Sequence, residues 1–329
     1  MPSTFGLRQL AGGALALLGA ALPPGACAAL AGIDDLPLHA ADATPDEQPT
    51  VPDDAADAGG GDGACEASSR MCHCVPHDFC DDFDVDGEAL GSRWSGAVGL
   101  PNPFTKGTET IGLTTVSLSA PRALLVTAGQ PKDSAFVLLS EQLDQATAYP
   151  GRPFIGLRYA LDIRVESMGF VESRGPLGDS GSAATAGVFH FDGTNARGVA
   201  LIVGVEGLFL STAASVLSLG IDAGESALAP IFQGDVLQLS KTWLHVEILV
   251  ADRDRAVQEG FTACKPLASG PVAGAALGPL RIAQACIALP ASVGVSWAMQ
   301  PVVSAGTVLF GGGQIVLRQD NVAFDFLAP

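Results

Sequence analysis

The sequence predicts an all-β domain of about 250 residues, from residue 81 to residue 329. Residues 157–166 alternate between apolar and polar side chains, which is the period of a strand with one buried face. The same alternation returns at residues 244–250 and 322–326. Gly- and Pro-rich breaks separate such runs, and no sustained helical periodicity follows residue 27. A domain of this length is expected to form one large β-sandwich.

Residues 1–27 have the features of a secretory signal peptide. Arg8 supplies a positive charge, an apolar run of 13 residues extends from Leu10 to Leu22, and small residues follow it. A run of this length is too short to span a membrane, so we expect export of the chain.

The signal peptide has two candidate endings. Gly25-Ala26-Cys27 resembles the end of a bacterial lipoprotein signal, where cleavage precedes a cysteine that carries lipid, although Pro24 departs from the aliphatic residue usual there. Cleavage after Ala28 would instead release a soluble, secreted protein. We favour lipidation of Cys27 and a place in the cell envelope, because a cysteine at that position is otherwise unexplained.

Residues 28–64 are expected to form a disordered, acidic linker. From residue 34 to residue 64 the chain has nine Asp or Glu residues and no Lys or Arg, with Ala, Pro and Gly supplying most of the rest. Such a segment buries too little apolar surface to offset its ordering entropy. The linker carries half of the formal charge of −18, and this charge makes nucleic acid an unsuitable partner.

Either ending of the signal leaves six cysteines, an even number suited to three disulfides in an oxidising compartment. Cys72 and Cys74 are poor partners for each other, since one residue separates them. Within the cysteine-rich segment 65–80 each is expected to bond one of the two outer cysteines. Cys264 and Cys286 remain for one another, and their loop would stabilise the fold by about 3 kcal/mol. The six are Cys65, Cys72, Cys74, Cys80, Cys264 and Cys286.

One stretch, residues 198–219, carries a single charge, on Glu206, and has the hydropathy of a membrane helix. It is rich in Val, Ile, Leu and Phe, and Gly204 and Gly207 interrupt it. This composition favours two buried strands, so no transmembrane helix is predicted in the mature chain.

Short motifs at both ends of the domain carry a family resemblance. Residues 79–84 (Phe-Cys-Asp-Asp-Phe-Asp) and 90–94 (Leu-Gly-Ser-Arg-Trp) resemble the opening of concanavalin A-like jelly rolls of the laminin-G and glucanase type. Residues 320–324 (Asp-Asn-Val-Ala-Phe) are similar to their closing strand, and 243–247 to a central Trp-x-x-Val strand. The resemblance implies a two-sheet antiparallel jelly-roll sandwich with adjacent first and last strands. Because such sandwiches include lectins, hydrolases and adhesive modules, it does not select a function.

Enzymatic motifs are weak in this sequence. Laminarinase-type glucanases of this superfamily carry the motif Glu-x-Asp-x-x-Glu, and this motif is absent here. The most similar run is Asp162-x-Arg164-x-Glu166, and Arg158 lies on the same strand. Interleaved arginines would keep both carboxylates ionised, so we expect an ion-pair ladder rather than a general acid. The tetrapeptide at 178–181 (Gly-Asp-Ser-Gly) matches a protease motif but lacks a suitable histidine, and we expect a loop.

Two metals can be considered. Cys72, Cys74, His77 and Cys80 are zinc-ligand types, but disulfides compete for these thiols in an exported chain. Resemblance to the jelly rolls implies a structural Ca²⁺ near the first and last strands, with Asp82 and Asp320 as ligands. The alternative is no cofactor, with both carboxylates accepting hydrogen bonds at strand ends.

Carbohydrate binding is the leading function. Sugars stack on exposed Trp or Tyr, and the chain has only five such residues: Trp94, Trp243, Trp297, Tyr149 and Tyr159. Tyr159 lies on the apolar face of its strand, and the relatives pack the Trp243 equivalent inside. Trp297 is the least constrained of the five and is the stacking candidate. We therefore expect a non-catalytic module that binds a polysaccharide or another cell-surface component. The alternatives are a glycan-cleaving hydrolase with carboxylates from separate strands and a structural envelope or adhesion protein.

Overall fold

The structure is a computed structural model that describes most of the predicted domain. The described residues are 72, 75–84, 89–95, 104–106, 110–119, 121–130, 135–144, 155–172, 182–191, 196–213, 227–239, 241–278, 280–281, 283–289 and 301–329. The predicted signal peptide and linker, and with them Cys27, lie outside the described residues, as do Cys65, Cys74 and Trp297.

The described residues form fifteen strands and a short helix. In chain order the elements are β1 (Phe79–Asp81), β2 (Phe104–Lys106), β3 (Thr110–Thr114), β4 (Ala123–Gln130), β5 (Ala135–Gln142), β6 (Gly156–Glu172), β7 (Ser182–Phe191), β8 (Ala196–Gly204), β9 (Gly207–Ala213), β10 (Ala227–Gln233), β11 (Leu244–Asp252), α1 (Arg253–Gln258), β12 (Pro271–Leu277), β13 (Ala283–Ala288), β14 (Val302–Phe310) and β15 (Gly312–Leu327). Single turns of 3₁₀ helix occupy Val236–Leu239 and Thr262–Cys264.

The strands form two antiparallel sheets, which confirms the predicted all-β jelly-roll sandwich. Sheet A has the order β13-β12-β11-β6-β15-β4-β3, and β1 also pairs with β15. Sheet B has the order β10-β9-β8-β7-β14-β5-β2. In β1 Phe79 pairs with Phe324 and Asp81 with Val322, so the first and last strands are adjacent, as the resemblance implied.

The core lies between the sheets and is built from alternate residues of each strand. In β6 the inward residues Leu157, Tyr159, Leu161 and Ile163 are almost completely buried, which confirms the predicted inner face of residues 157–166. Residues facing them from β11, β15 and sheet B are also apolar. Burial of this continuous apolar surface stabilises the sandwich.

Residues 198–213 form the buried strands β8 and β9, as predicted for the first part of the stretch 198–219. The two strands pair as a hairpin, with Gly204 opposite Gly207. Among the described residues no helix has the length and hydropathy needed to cross a membrane.

Tyr159 links the two sheets through the core. Its ring is fully buried on sheet A, and its hydroxyl donates a 2.7 Å hydrogen bond to the carbonyl of Ser304 on β14 of sheet B. Burial raises the pKa of this hydroxyl, so it remains a donor throughout the physiological range.

We expect Tyr159→Phe to lower the free energy of unfolding by about 1.5 kcal/mol, because it removes this buried hydrogen bond and keeps the ring. Urea unfolding of the variant measures the loss. An unchanged midpoint would contradict the inter-sheet bond.

The outer side of sheet A is covered at one end by the segment after β11. Phe261 is fully buried there among apolar residues of β11 and β12, and a disulfide joins Cys264 to Cys286 on β13. Gly274 makes room for the ring, since a Cβ at this position would lie 2.7 Å from Phe261 Cδ1. The segment therefore has a fixed position beside the polar residues of β11.

Candidate functional site

The central strands of sheet A carry polar residues on the side that points away from the core. They alternate with the buried residues of β6, β11 and β15, and one more comes from the turn before β13. We call this surface the charged face; its residues are Arg158, Asp162, Arg164, Glu166, Trp243, His245, Glu247, Arg281, Arg318 and Asn321.

Strand register sets the order of these residues across the sheet. His245 of β11 pairs with Asp162 of β6. Leu244 pairs with Ile163, and Trp243 is the residue immediately before β11. The acid and the imidazole therefore face each other across β6 and β11, and Trp243 lies at the start of β11, two residues from His245.

Asp162 lies at the centre of the charged face and is almost buried. Its Oδ1 is 2.9 Å from His245 Nδ1, and its Oδ2 accepts a 2.8 Å hydrogen bond from Asn321 Nδ2. Asn321 occupies a β-bulge of β15 with φ +50, a left-handed conformation that Asn tolerates better than most residues. The bulge thus brings its amide onto the same carboxylate.

Glu247 forms the second anionic position. Arg281 donates to its Oε2 from Nη2 at 2.6 Å and from Nε at 3.1 Å. Arg281 is itself positioned by the Phe261 ring, 4.8 Å from the guanidinium carbon, and by the Glu259 carbonyl. Burial would raise the pKa of Glu247, but its contacts with His245 and Arg281 outweigh burial and lower the pKa to about 2. Glu247 is therefore ionised at neutral pH.

His245 lies between the two carboxylates. Its Nδ1 contacts Asp162, and its Nε2 is 3.7 Å from Glu247 Oε1. Burial alone would lower the pKa of His245, but the two carboxylates raise it to about 9. At neutral pH the imidazole is a cation with both nitrogens protonated, so it cannot act as a general base.

The ion-pair ladder predicted on β6 is correct in part. Arg164 Nε lies 2.8 Å from Glu166, as expected. Asp162 instead bonds His245 and Asn321, and Arg158 pairs with Glu259 beyond α1 at 2.5 Å. Pairing within one strand depends on local alternation, whereas these other partners come from distant parts of the chain.

Trp243 immediately precedes β11 and with it the charged residues His245 and Glu247. The indole is half-buried and lies outside the apolar clusters that the described residues form, contrary to the core position expected from the resemblance. Trp94 and Tyr159 are buried in the core. The stacking role predicted for Trp297 stays a prediction, because this residue lies outside the described part of the chain.

The predicted calcium ligands accept hydrogen bonds from the backbone. Asp320 Oδ2 accepts from the amides of Leu118 and Ser119, both at 2.9 Å, and its Oδ1 accepts from Ser119 Oγ and the Asn321 amide. Asp82 Oδ1 accepts from the Asp84 amide. Four donors occupy the acceptor positions of Asp320, so a metal ion at this carboxylate would have to replace some of these hydrogen bonds. Calcium at Asp82 and Asp320 stays a prediction, which a fall in melting temperature on adding EDTA would support.

Three of the four zinc-type residues are described, and each has another partner; Cys74 lies outside the described residues. Cys72 forms a disulfide with Cys80, and His77 Nδ1 lies 2.9 Å from Asp325 Oδ2. No group of three or more His, Cys, Asp or Glu side chains within the described ranges is placed to hold a metal ion. Together with Cys264–Cys286, the Cys72–Cys80 bond indicates an oxidising compartment outside the cytoplasm.

Sequence reasoning missed five residues of the charged face: His245, Glu247, Arg281, Arg318 and Asn321. Trp243, His245 and Glu247 alternate with the apolar residues of β11, and this pattern could have identified His245 and Glu247 as outward-facing. Arg281 and Asn321 lie in a turn and a bulge, where no periodicity applies. The protease-like tetrapeptide at 178–181 lies outside the described residues.

Comparison with family models finds no match, and no curated protein sequence matches the chain. Solved structures do resemble it. Cip1, a cellulose-induced protein, is 12% identical, with coverage of 75% of this chain and 96% of Cip1 and a TM-score of 0.38. The CBM2 module of the evolved Dit protein of Lactobacillus casei BL23 phage J-1 is 8% identical, with coverages of 77% and 96% and a TM-score of 0.42.

A third similar structure is alginate lyase vAL-1 from a Chlorella virus. It is 11% identical, with coverage of 68% of this chain and 93% of the lyase, and its TM-score is 0.35. Identities of 8 to 12% leave most positions different between these proteins and this chain. The chemistry of the charged face therefore has to be derived from its own residues.

Proposed function

We propose that this protein is an exported, non-catalytic binding module that holds a polysaccharide or another cell-surface component on the charged face of sheet A. One observation carries this proposal. The half-buried Trp243 immediately precedes β11, two residues from His245, which belongs to a network of acids, amide and imidazole that hold one another in place.

The network has the chemistry that sugar recognition requires. Hydroxyl groups donate and accept hydrogen bonds, and the charged face offers an acceptor, on Glu247, and donors, on His245 and Arg281. Because these side chains already bond one another, a ligand would order few of them on binding. An indole supplies an apolar surface for the carbon face of a sugar ring.

Hydrolysis of a glycan is the second candidate, since Asp162 and Glu247 come from separate strands and flank one imidazole. Glycoside hydrolysis requires one carboxylic acid with a raised pKa beside an ionised carboxylate. Glu247 has a pKa of about 2, and His245 is protonated up to a pKa of about 9. Glu247 is therefore ionised at neutral pH and cannot be the carboxylic acid that this reaction requires, so binding without cleavage is favoured.

Export and anchoring complete the proposal. The secretory features of residues 1–27 and the two disulfides support a location outside the cytoplasm. We propose a lipid anchor on Cys27 and a role for the acidic residues 28–64 as a spacer. Detergent partitioning of Cys27→Ala tests the anchor. If the membrane-bound fraction of this variant equals that of the unaltered protein, a lipid anchor on Cys27 is excluded.

The binding proposal is tested by passing the full-length protein over immobilised polysaccharides and measuring both retention and released reducing ends. We expect retention without release. Release would identify a hydrolase, and neither retention nor release would favour a structural envelope or adhesion protein.

Trp243→Ala is expected to weaken retention at least tenfold, because it removes the apolar surface beside the polar network. Trp243→Phe keeps a ring and should retain most binding. Val205→Ala removes an exposed apolar side chain at the β8–β9 turn of sheet B and serves as the matched control. Equal retention by Trp243→Ala and Val205→Ala would place the binding surface elsewhere.

A further inference from the structure

Two arginines of the charged face share one carboxylate. Arg318 of β15 pairs directly with Arg164 of β6, so the two cations lie opposite each other on adjacent strands. Arg164 Nε and Arg318 Nη1 both lie 2.8 Å from the same oxygen, Glu166 Oε1. All three side chains are largely buried, with exposed fractions of 16 to 17%.

This trio has an excess of one positive charge. Like charges on directly opposed strand positions repel each other, and a single carboxylate compensates only one of the two guanidiniums. Burial lowers the pKa of Arg318, and the charge of Arg164 lowers it further, against the effect of Glu166. The trio is therefore an electrostatically unfavourable arrangement that a second anion would relieve.

The carboxylates of Asp162 and Glu247, on the same face, do not supply this anion. These two carboxylates are matched by the cations His245 and Arg281. Among the described residues, Glu166 is the carboxylate that both guanidiniums contact. This local excess of positive charge contrasts with the chain as a whole, which has 17 Lys and Arg residues and 35 Asp and Glu residues.

We propose that Arg164 and Arg318 bind the carboxylate of a uronic acid unit, so that the polysaccharide held on the charged face is an acidic one. This inference rests on the proposed function and specifies its ligand class. Guanidinium groups bind carboxylates through paired, charge-assisted hydrogen bonds. Trp243 immediately precedes Leu244, which pairs with Ile163, the neighbour of Arg164 on β6, so an adjacent sugar ring can contact the indole while its carboxylate lies over the arginines.

Neutral sugars lack the carboxylate that Arg164 and Arg318 would bind. The remaining hydroxyls would still meet His245, Glu247 and Arg281, so a neutral polymer of the same backbone should bind more weakly rather than fail to bind. The rest of the protein is acidic, but charges farther than about 8 Å are screened at physiological ionic strength. The local excess of positive charge therefore governs contact with the ligand.

The test compares polygalacturonate with its methyl-esterified form, which keeps the backbone and removes the negative charge. Binding of the full-length protein to each polymer, and to neutral dextran, is measured at 0.15 M and 0.5 M NaCl. We expect the acidic polymer to bind at least tenfold more tightly than its ester, and this preference to fall at the higher salt concentration.

Arg318→Gln is expected to remove most of the preference for the acidic polymer while binding of the ester stays within twofold. Arg255→Gln is the matched control, because Arg255 is another partly buried arginine that pairs with a glutamate, Glu259, at 2.6 Å. It should leave both affinities unchanged. Melting temperatures of both variants verify folding, and if Arg318→Gln does not fold, the salt dependence of the unaltered protein decides the question.

The outcomes separate this inference from the proposed function. Equal binding of polygalacturonate and its ester, or binding of dextran alone, overturns the acidic ligand and leaves polysaccharide binding intact. Binding of no polysaccharide overturns both. Binding to vesicles of anionic phospholipid without binding to polygalacturonate also overturns the inference, since it identifies a different class of partner.

Discussion

Replacing Gln319 with leucine is expected to lower the free energy of unfolding by about 4 kcal/mol. Gln319 is a fully buried amide on β15 of sheet A. Its Oε1 accepts a 2.5 Å hydrogen bond from the Gly306 amide, and its Nε2 donates to the carbonyls of Thr185 and Gly306 in sheet B. The side chain therefore joins the two sheets through the core.

The partners of Gln319 lie where the ladder of sheet B is interrupted. The register between β14 and β7 shifts between Ala305 and Val308, and that between β7 and β8 shifts between Ala184 and Ala186. Gly306 has φ +124, and a Cβ there would lie 2.2 Å from the Val137 carbonyl, so this bulge requires glycine. Backbone groups in such bulges lack strand partners, and the Gln319 amide satisfies them.

Leucine has nearly the same volume as glutamine, so the variant tests hydrogen bonding rather than cavity formation. Each buried backbone group that loses its partner costs about 1 to 3 kcal/mol. Urea unfolding gives the loss, and Gln314→Leu, at an exposed position on the same strand, should stay within about 0.5 kcal/mol. A loss below about 1 kcal/mol for Gln319→Leu would show that the bulges do not depend on this amide.

Raising the pH from 6.5 to 9 is expected to lower the free energy of unfolding by about 3 kcal/mol through His245 alone. The folded state binds the imidazole proton more tightly than the unfolded state, with a pKa of about 9 against the ordinary value of 6.5. The stabilisation is therefore complete below pH 6.5 and is lost as the pH rises through 9. Its source is the pair of carboxylates, Asp162 and Glu247, that flank the ring.

Another buried group titrates at lower pH and must be separated from His245. Burial raises the pKa of Asp320 to about 7, although hydrogen bonds from Ser119 and Leu118 lower it. The pKa of Asp320 is higher in the folded than in the unfolded state. Its contribution to stability is therefore lost as the pH rises from about 4 to about 7. Unfolding measured between pH 7.5 and pH 9.5 mainly reports His245.

The control for this pH dependence is His245→Gln, which keeps a polar side chain without a titrating imidazole. Its stability should be lower than that of the unaltered protein at pH 7.5 and nearly constant up to pH 9.5. A slope equal to that of the unaltered protein would assign the pH dependence to another group.

The strands of this protein could be predicted because their signal is local. The alternation of residues 157–166 identified the inner face of β6, and the glycines within residues 198–219 separated β8 from β9. The other four cysteines were expected to form disulfides within the segment 65–80, which left Cys264 to bond Cys286. The structure contains this bond. Each of these predictions used residues within one strand, one hairpin or one short loop.

The polar contacts could not be predicted in the same way. Asp162 was assigned to a ladder with its neighbours on β6, but its partners His245 and Asn321 are 83 and 159 positions away. Gln319 has the polarity of an outward-facing residue, yet a bulge in the opposite sheet requires it in the core. Such contacts depend on which strands become neighbours and in what register.

The amino-acid sequence by itself determined the all-β class, the buried faces of the central strands, the oxidising environment and the acidic character of residues 28–64. Hydrophobic periodicity and composition are properties of short segments, so they can be read without coordinates. Only the tertiary structure decided that Trp243, His245, Arg164 and Arg318 share one surface. The physical reason is that β11, β6 and β15 are far apart in the chain and meet only when the apolar faces of the sandwich are buried together.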